Sequence, residues 1–561
     1  MKIVECVPNF SEGRDMNIIN SITSEIEKVE GVKLLDVDPG KDTNRTVVTF
    51  VGSPDGVLEA AFRAIKRASE LIDMKKHKGA HPRIGATDVC PFVPVSGVSM
   101  QDCVELAHKL GKRVGEELQI PVYLYEEAAT SPERKSLSNI RKGEYEALCE
   151  KLKDPEWKPD YGPSEFSERV AKTGATVIGA REFLIAYNVN LNTKDRKLAH
   201  EIALNIRETG RLKRDENGKI VRNPDGTPVR VPGRLKAVRA VGWYIDEYGF
   251  AQVSINVMNY KITPLHVIFD TVCEEAEKLG LRVIGSEIVG LCPKEALIQA
   301  GKHYLLKQKR CPGIPEKQII EIAILSLGLS QIERFDPEKK IIEFYIEKKG
   351  RLENMTIRDF EDELSTDSPA PGGGSVSALA ASNACSLISM VANLTYNKKG
   401  YEDVTREMGE VAEKAQKLKD EFIKDIDRDT EVFENVMKAF RLPKKTEEEI
   451  KKREEEIEKA TKEATKVPFE VLKRLLEVLD ITKIVAEKGN ENAVSDAGVA
   501  ASQALSAAEG AYLNVLINLK NIKDEEFKTE IRKESDRILE SIKKEKERVE
   551  AIVKKRLGEE V

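Results

Sequence analysis

Eight cysteines lie scattered through 561 residues, and no two of them form a CxxC pair. That spacing argues against a zinc knuckle or a disulfide framework and fits a reducing cytosol. Histidine is scarcer still, with six in all, so imidazole chemistry has few positions to come from. No apolar run approaches the ~20 residues that a membrane helix needs. The start, Met1-Lys2-Ile3-Val4-Glu5, is strand-like and lacks the apolar core of a signal peptide. A strong charge of either sign is missing too. Ninety Lys and Arg face 96 Asp and Glu, a net of −6, without the general basic excess that nucleic-acid binding needs. These absences predict a cytoplasmic protein with neither nucleic acid nor membrane as partner. At 561 residues the chain is too long for one core.

Two kinds of chain follow one another. Roughly the first 345 residues alternate strand-like with helix-like segments, as α/β or α+β domains do. Strands are predicted at Lys33–Val37, Arg45–Val51, Val89–Val95, Val122–Tyr125 and Gln252–Val257. Helices are predicted at Val57–Leu71, Gln101–Glu117, Lys194–Glu208 and Pro264–Leu279. A second cycle starts near Phe183, and Lys213–Pro232 reads as a polar hairpin excursion with two tight turns. Past Lys348-Lys349-Gly350 the alternation stops and long Glu/Lys/Ala/Leu segments read as an up-and-down helical bundle. Arg441-Leu442-Pro443 and Lys466-Val467-Pro468 mark breaks or kinks in it. Alanines at 497, 500, 501, 504, 507, 508 and 511 form one helical stripe, a face for close packing.

The densest chemistry lies in His77-Lys78-Gly79-Ala80-His81-Pro82-Arg83-Ile84-Gly85-Ala86-Thr87-Asp88. Gly79, Pro82 and Gly85 oppose a continuous helix, so this is a shaped loop carrying two imidazoles, a guanidinium and a carboxylate. His77 and His81 stand four apart, as a zinc pair on a helix would. The metalloprotease pattern wants Glu where Lys78 stands, so acid–base chemistry is preferred to metal ligation. Val7–Gly13 leads towards a helix start that could favour an anion. Asp36, Asp38, Asp42, Asn44 and Arg45 read as a charged turn between strands. Ala370-Pro371-Gly372-Gly373-Gly374-Ser375-Val376 precedes an apolar helix and offers free N–H donors, without the lysine of a nucleotide-binding loop. In Lys424-Asp425-Ile426-Asp427-Arg428-Asp429, Asp425 and Asp429 share a helix face, and mutual repulsion could keep one protonated near neutrality.

Together these residues resemble the bifunctional formimidoyltransferase-cyclodeaminase family. The matching text is Val4–Gly13, Leu35–Asp38, Thr43–Thr46, His81-Pro82-Arg83 with Gly85 and Asp88, Gly162-Pro163-Ser164, Val241–Tyr244, Ala370–Val376, Arg441-Leu442-Pro443 and Asn514–Leu519. It runs over nearly the whole chain in the same order. The resemblance implies an α/β (α+β) two-subdomain transferase half plus an all-α helical-bundle cyclodeaminase half. The expected domains are 1–183, 184–346, a linker at 347–354, and 355–561.

It also implies function. The family moves a formimidoyl group from N-formimidoyl-L-glutamate to N5 of tetrahydrofolate, then cyclises the product to 5,10-methenyltetrahydrofolate with loss of ammonia. His81 is implied as the transferase's catalytic residue and Asp429 as the cyclodeaminase's acid. Folate contacts fall on Gly162, Pro163, Ser164, Glu165, Phe166, Lys172, Thr173 and Gly174 in one half, and on Gly373, Gly374 and Ser375 in the other. Glu165–Lys172 departs from the family pattern, being longer and more polar. Arg45 and Arg83 are candidate forks for the donor's carboxylates, and Asp38 and Asp88 candidate partners for its amidinium. Tetrahydrofolate, in polyglutamylated form as well, is expected as co-substrate with neither metal nor nucleotide, in a homo-oligomer built from dimers. Three rivals stay open: formyl transfer on the same fold, a non-enzymatic helical scaffold, and a metal-dependent hydrolase using His77 and His81.

Overall fold

The computed structural model describes residues 2–41, 43–79, 81–246, 248–346 and 350–559. The chain divides into two compact units, Met1–Ala300 with Ile324–Glu347, and Gly301–Ala323 with Lys348–Val561. The first holds two large sheets in succession, with a two-stranded ladder of Arg211–Leu212 and Arg230–Val231 besides; the second is helical.

In the first sheet, β1 (Ile3–Cys6) and β2 (Asn9–Phe10) form one interrupted strand between β4 (Arg45–Gly52) and β5 (Thr87–Ser96). The interruption is Val7-Pro8, and proline has no N–H to give to a ladder. At one edge β3 (Val32–Gly40) pairs with β4; beyond β5 lie β7 (Thr176–Ala180) and then β6 (Val122–Glu126), parallel to it. Helices α1 (Met16–Glu27), α2 (Pro54–Leu71) and α3 (Met100–Leu118) share a core with Cys6, Val48, Phe50, Cys90 and Phe92. In β4 the alternate residues Arg45, Val47 and Thr49 lie on the opposite, less buried face. Strand β3 runs on through Pro39 to Gly40, so Asp36 and Asp38 belong to a strand and not to the turn expected there. Pro39 is tolerated because β3 is an edge strand. Asp42 lies outside the described residues.

The second sheet is antiparallel, in the order β9 (Val238–Ile245), β10 (Phe250–Val257), β8 (Ile185–Leu191), β11 (Val283–Val289). The polar excursion before β9 is two nested exposed hairpins, turning at Asp215–Gly218 and Asn223–Gly226.

The helical unit is built from α4 (Gly373–Thr395), α5 (Thr405–Phe440), α6 (Glu447–Lys488), α7 (Val494–Leu519) and α8 (Glu525–Arg556). The seven stripe alanines of α7 are all buried, in one core with Ile388, Phe422 and Leu475. Residues 301–323, expected in the preceding subdomain, pack here: Gly313 O accepts from Asn393 Nδ2 at 2.7 Å and Ser389 Oγ at 3.3 Å. Of the expected linker, residues 347–349 lie outside the described residues. The part that follows is tied down, because Asp427 accepts from the backbone N–H of Leu352 and Glu353, each at 2.8 Å.

Two expectations need correcting. Arg441-Leu442-Pro443 does separate α5 from α6, but Lys466-Val467-Pro468, expected as a break or a kink, is not a break, since Pro468 lies inside α6, which runs on to Lys488. Helix α4 is also long and apolar enough to cross a membrane, at mean hydropathy 1.5; 61% of that stretch is buried within the protein. Its apolar character comes from small residues, Ala381, Ala384 and Ala392 among them, that sit in the helical core. Ala504→Leu should lower the stability of the helical unit by about 1–3 kcal/mol, because a fully packed alanine face has no room for three more carbons. Urea unfolding followed by circular dichroism measures it.

Candidate active sites

Strand β2 ends where β4 and β5 begin, so Phe10, Arg45 and Thr87 meet at one end of the first sheet. Asp88 enters β5 there and is fully buried. Its Oδ2 takes ion pairs from both Arg45 and Arg141, and its Oδ1 accepts from Ile84 N at 2.9 Å. Arg45 Nε also donates to Asn9 Oδ1 at 3.1 Å. Two guanidiniums on one carboxylate leave the trio with one unit of positive charge, in a setting where charge is weakly screened.

His81 is half-buried beside this trio. Its Nδ1 lies 2.7 Å from Pro82 O, so Nδ1 carries the proton and Nε2 is the free lone pair. Burial, and then the field of Arg45, hold its pKa below the ordinary 6.5. A neutral imidazole with one unprotonated nitrogen is a general base at neutral pH.

The loop is held by its neighbours. His77 Nε2 donates to Asn44 O at 2.8 Å, and its Nδ1 accepts from Arg83 Nε at 3.2 Å. Both nitrogens are spent on structure, so His77 and His81 do not form a pair. Arg83 is buried, and its fork grips Glu146 at 2.6 and 2.8 Å with Glu144 alongside at 2.8 Å. Gly79 crosses so close to Thr43 O, and Gly85 to Ala175 O, that a Cβ at either would collide with backbone.

The Gly162–Gly174 stretch divides in two. Gly162, Ser164, Glu165 and Phe166 are exposed, with Pro163 half-buried between them. Gly162 lies against Gly115 and Ile120 O, next to the start of β6. Lys172, Thr173 and Gly174 serve the fold: Lys172 Nζ donates to Glu70 O at 2.8 Å, Thr173 O accepts from Ala86 N at 2.7 Å, and Gly174 bridges to Gly85. Parallel strands β5, β7 and β6 all begin at this end. Gly162 stands beside the start of β6, two strands across the sheet from the start of β5. Asp38 is exposed and pairs in register with Val47, two residues from Arg45 on the same face. The Val7–Gly13 segment offers no open helix end, since Asp15 caps α1.

In the helical unit, Asp429 of α5 lies against the first turn of α4. A Cβ at Gly374 would strike its carboxylate, and Ser375 N–H donates to it. The Ser375 hydroxyl turns away to Ile426 O at 2.8 Å. The helix N-terminus favours the anion, yet burial outweighs it and raises the Asp429 pKa to about 6, with Asp425 adding a smaller push. Asp425 itself is engaged by Arg474. A cavity of about 340 Å³ opens beside Asp429, floored by Gly372, Gly373 and Gly374 and walled by Phe433, Met437 and Asn514.

Three family models cover the chain in order: the N-terminal subdomain of the formiminotransferase domain over residues 3–181, the formiminotransferase domain over 186–347, and formiminotransferase-cyclodeaminase over 356–537. The formimidoyltransferase-cyclodeaminase of Gallus gallus is 44% identical across 99% of both chains. This chain belongs to the formimidoyltransferase-cyclodeaminase family. Its two halves also occur apart. Glutamate formimidoyltransferase of Thermoplasma acidophilum is 45% identical over 57% of this chain and 97% of its own length. Methenyltetrahydrofolate cyclohydrolase of Methylorubrum extorquens is 40% identical over 36% of this chain and 99% of its own.

Within this formimidoyltransferase-cyclodeaminase, the structure brings His81, Arg45 and Asp88 together and joins Gly373, Gly374 and Ser375 to Asp429. It turns Arg83 away into a structural grip. Sequence reasoning missed Arg141, which sits in no motif and meets Asp88 across 53 residues. Removing the Arg45 field with Arg45→Gln should raise the His81 pKa. Its titration midpoint, below 6.5 in the parent, should then move to higher pH, and NMR titration of the histidines in both proteins checks this.

Proposed function

We propose that His81 shuttles the proton of formimidoyl transfer and that Asp429 is the acid of the cyclisation that follows. The chain is an enzyme with two folate-dependent activities, glutamate formimidoyltransferase and formimidoyltetrahydrofolate cyclodeaminase. In the first, N5–H of tetrahydrofolate attacks the formimidoyl carbon of N-formimidoyl-L-glutamate, and glutamate leaves as an amine. The proton lost by N5 is the one the leaving nitrogen needs, and one imidazole with Nε2 free can carry it between them. The surplus positive charge on Arg45 and Arg141 suits the donor's carboxylates, and Asp38, exposed on the same face and without an ion pair among the described residues, suits its amidinium. The Gly162–Phe166 loop, exposed except for half-buried Pro163 and two strands across the same sheet end, is the family's folate-binding segment and is available to the rest of the folate.

In the second activity N10 attacks the formimidoyl carbon and ammonia departs. Of the three ammonia hydrogens one is already on the imine, one comes from N10, and the third must come from an acid. Asp429 is suited to that role because burial keeps part of it protonated near neutrality. Neither reaction as written calls for a metal or a nucleotide. Exposed Ile517 and Phe440 at the Asp429 cavity, with exposed Leu513 on the same helix as Ile517, support subunit contact there, in a homo-oligomer built from dimers. Eight cysteines, with no disulfide among the described residues, support a cytoplasmic setting.

The observation that carries the reading is the free Nε2 of His81 beside a buried cluster of net positive charge. His81→Ala should lose formimidoyl transfer by ~10²–10⁴ while cyclising supplied 5-formimidoyltetrahydrofolate at the parent rate. Asp429→Ala should do the reverse, accumulating that intermediate. Separate assays of the two steps, the second by methenyltetrahydrofolate absorbance, decide it; a His81→Ala enzyme with full transfer activity would refute the assignment. Because the acid form is lost as pH rises, the cyclisation rate should fall above about 6 until another step limits it.

A further inference from the structure

Pro468, inside α6, has no N–H for the carbonyl four residues back, that of Ala464. Asn518 Nδ2 donates to it instead, at 3.0 Å. One turn earlier on α7, Asn514 Nδ2 donates to Gly510 O at 2.8 Å. A carbonyl accepts only from the NH2 end of an amide, so these two contacts fix which way both side chains point. Neither Oδ1 receives a protein hydrogen bond among the described residues, and both asparagines are half-buried walls of the Asp429 cavity. Asn514 lies over Gly373, where a Cβ would be 3.1 Å from its Nδ2; the next residue, Gly374, is the one in contact with Asp429.

The cavity thus holds one carboxylic acid and, about 6 Å apart along the helix axis, two oriented acceptors without protein donors. We propose that Asn514 Oδ1 accepts the formimidoyl N–H of 5-formimidoyltetrahydrofolate, that Asn518 Oδ1 accepts an N–H of its pterin, and that Asn514 thereby selects formimidoyl against formyl. This rests on the reading of the cavity as the cyclodeaminase site. A formyl group puts a carbonyl oxygen where the substrate has N–H, so two acceptors would face each other. Asn514 cannot turn its amide to meet it, because its own oxygen would then confront Gly510 O. A site built to receive an N–H rejects the analogue that lacks it.

The test uses the full chain and measures, in the second step, KM for 5-formimidoyltetrahydrofolate and Ki for 5-formyltetrahydrofolate. The parent should prefer the formimidoyl compound by about 100-fold or more. Asn514→Leu should cut that preference at least about tenfold, with formimidoyl transfer and thermal midpoint unchanged. Asn518→Leu should weaken both compounds alike and leave the ratio as it was. Asn514→Ala reads the same term if the leucine variant fails to fold. An unchanged ratio in the Asn514 variants, with Asp429→Asn inactive in the second step, overturns this inference alone. An active Asp429→Asn enzyme overturns the reading of the cavity and this inference with it.

Discussion

A fully buried carboxylate organises the transferase half. Asp88 has no contact with solvent, and an ion so placed must be paired or it costs several kcal/mol. Pairing it with two arginines does more than compensate. It fixes the start of β5 and the preceding loop through Ile84 N, holds Arg45 across the sheet end, and leaves a net positive field. That field, added to burial, keeps His81 neutral. The base, the expected grip on substrate carboxylates and the shape of the loop are consequences of one crowded charge.

The helical half uses the same physics with the opposite result. Three aspartates within five residues of α5 meet three environments. Asp425 is buried against Arg474; Asp427 caps the backbone at Leu352 and Glu353; Asp429 is half-buried, with one backbone donor at Ser375 and the like charge of Asp425 as its neighbours. Only the third combines the elevated pKa of about 6 with an open cavity. A carboxyl raised towards neutrality and an imidazole lowered from it, the proposed acid and base, thus arise from common side chains by withholding a counter-charge in one unit and oversupplying positive charge in the other.

Much of this was legible in the sequence, for identifiable reasons. Period-two and period-3.6 patterns located strands and helices such as β4, α2 and α3 within a few residues. Glycine and proline marked the His77–Asp88 segment as a loop, and the alanine stripe marked the centre of the bundle. What stayed hidden depends on partners distant in sequence. Arg83 reads as an available fork until Glu144 and Glu146 are seen holding it. Arg141 has no local signal at all. Lys172–Gly174, read as ligand contacts, also bond to Met74 and Gly85, which no local pattern announces. Pro468 reads as a break or kink, and the helix runs on through it with Ala464 O satisfied by Asn518, fifty residues away on another helix.

The central claim is that His81 is a neutral imidazole with its proton on Nδ1 and its Nε2 free. Nitrogen-15 NMR of the six histidines, with His81 assigned by substitution, reports tautomer and titration midpoint together. The account requires an Nδ1–H tautomer for His81 with a midpoint below 6.5. An Nε2–H tautomer, or a midpoint above 7, would contradict it.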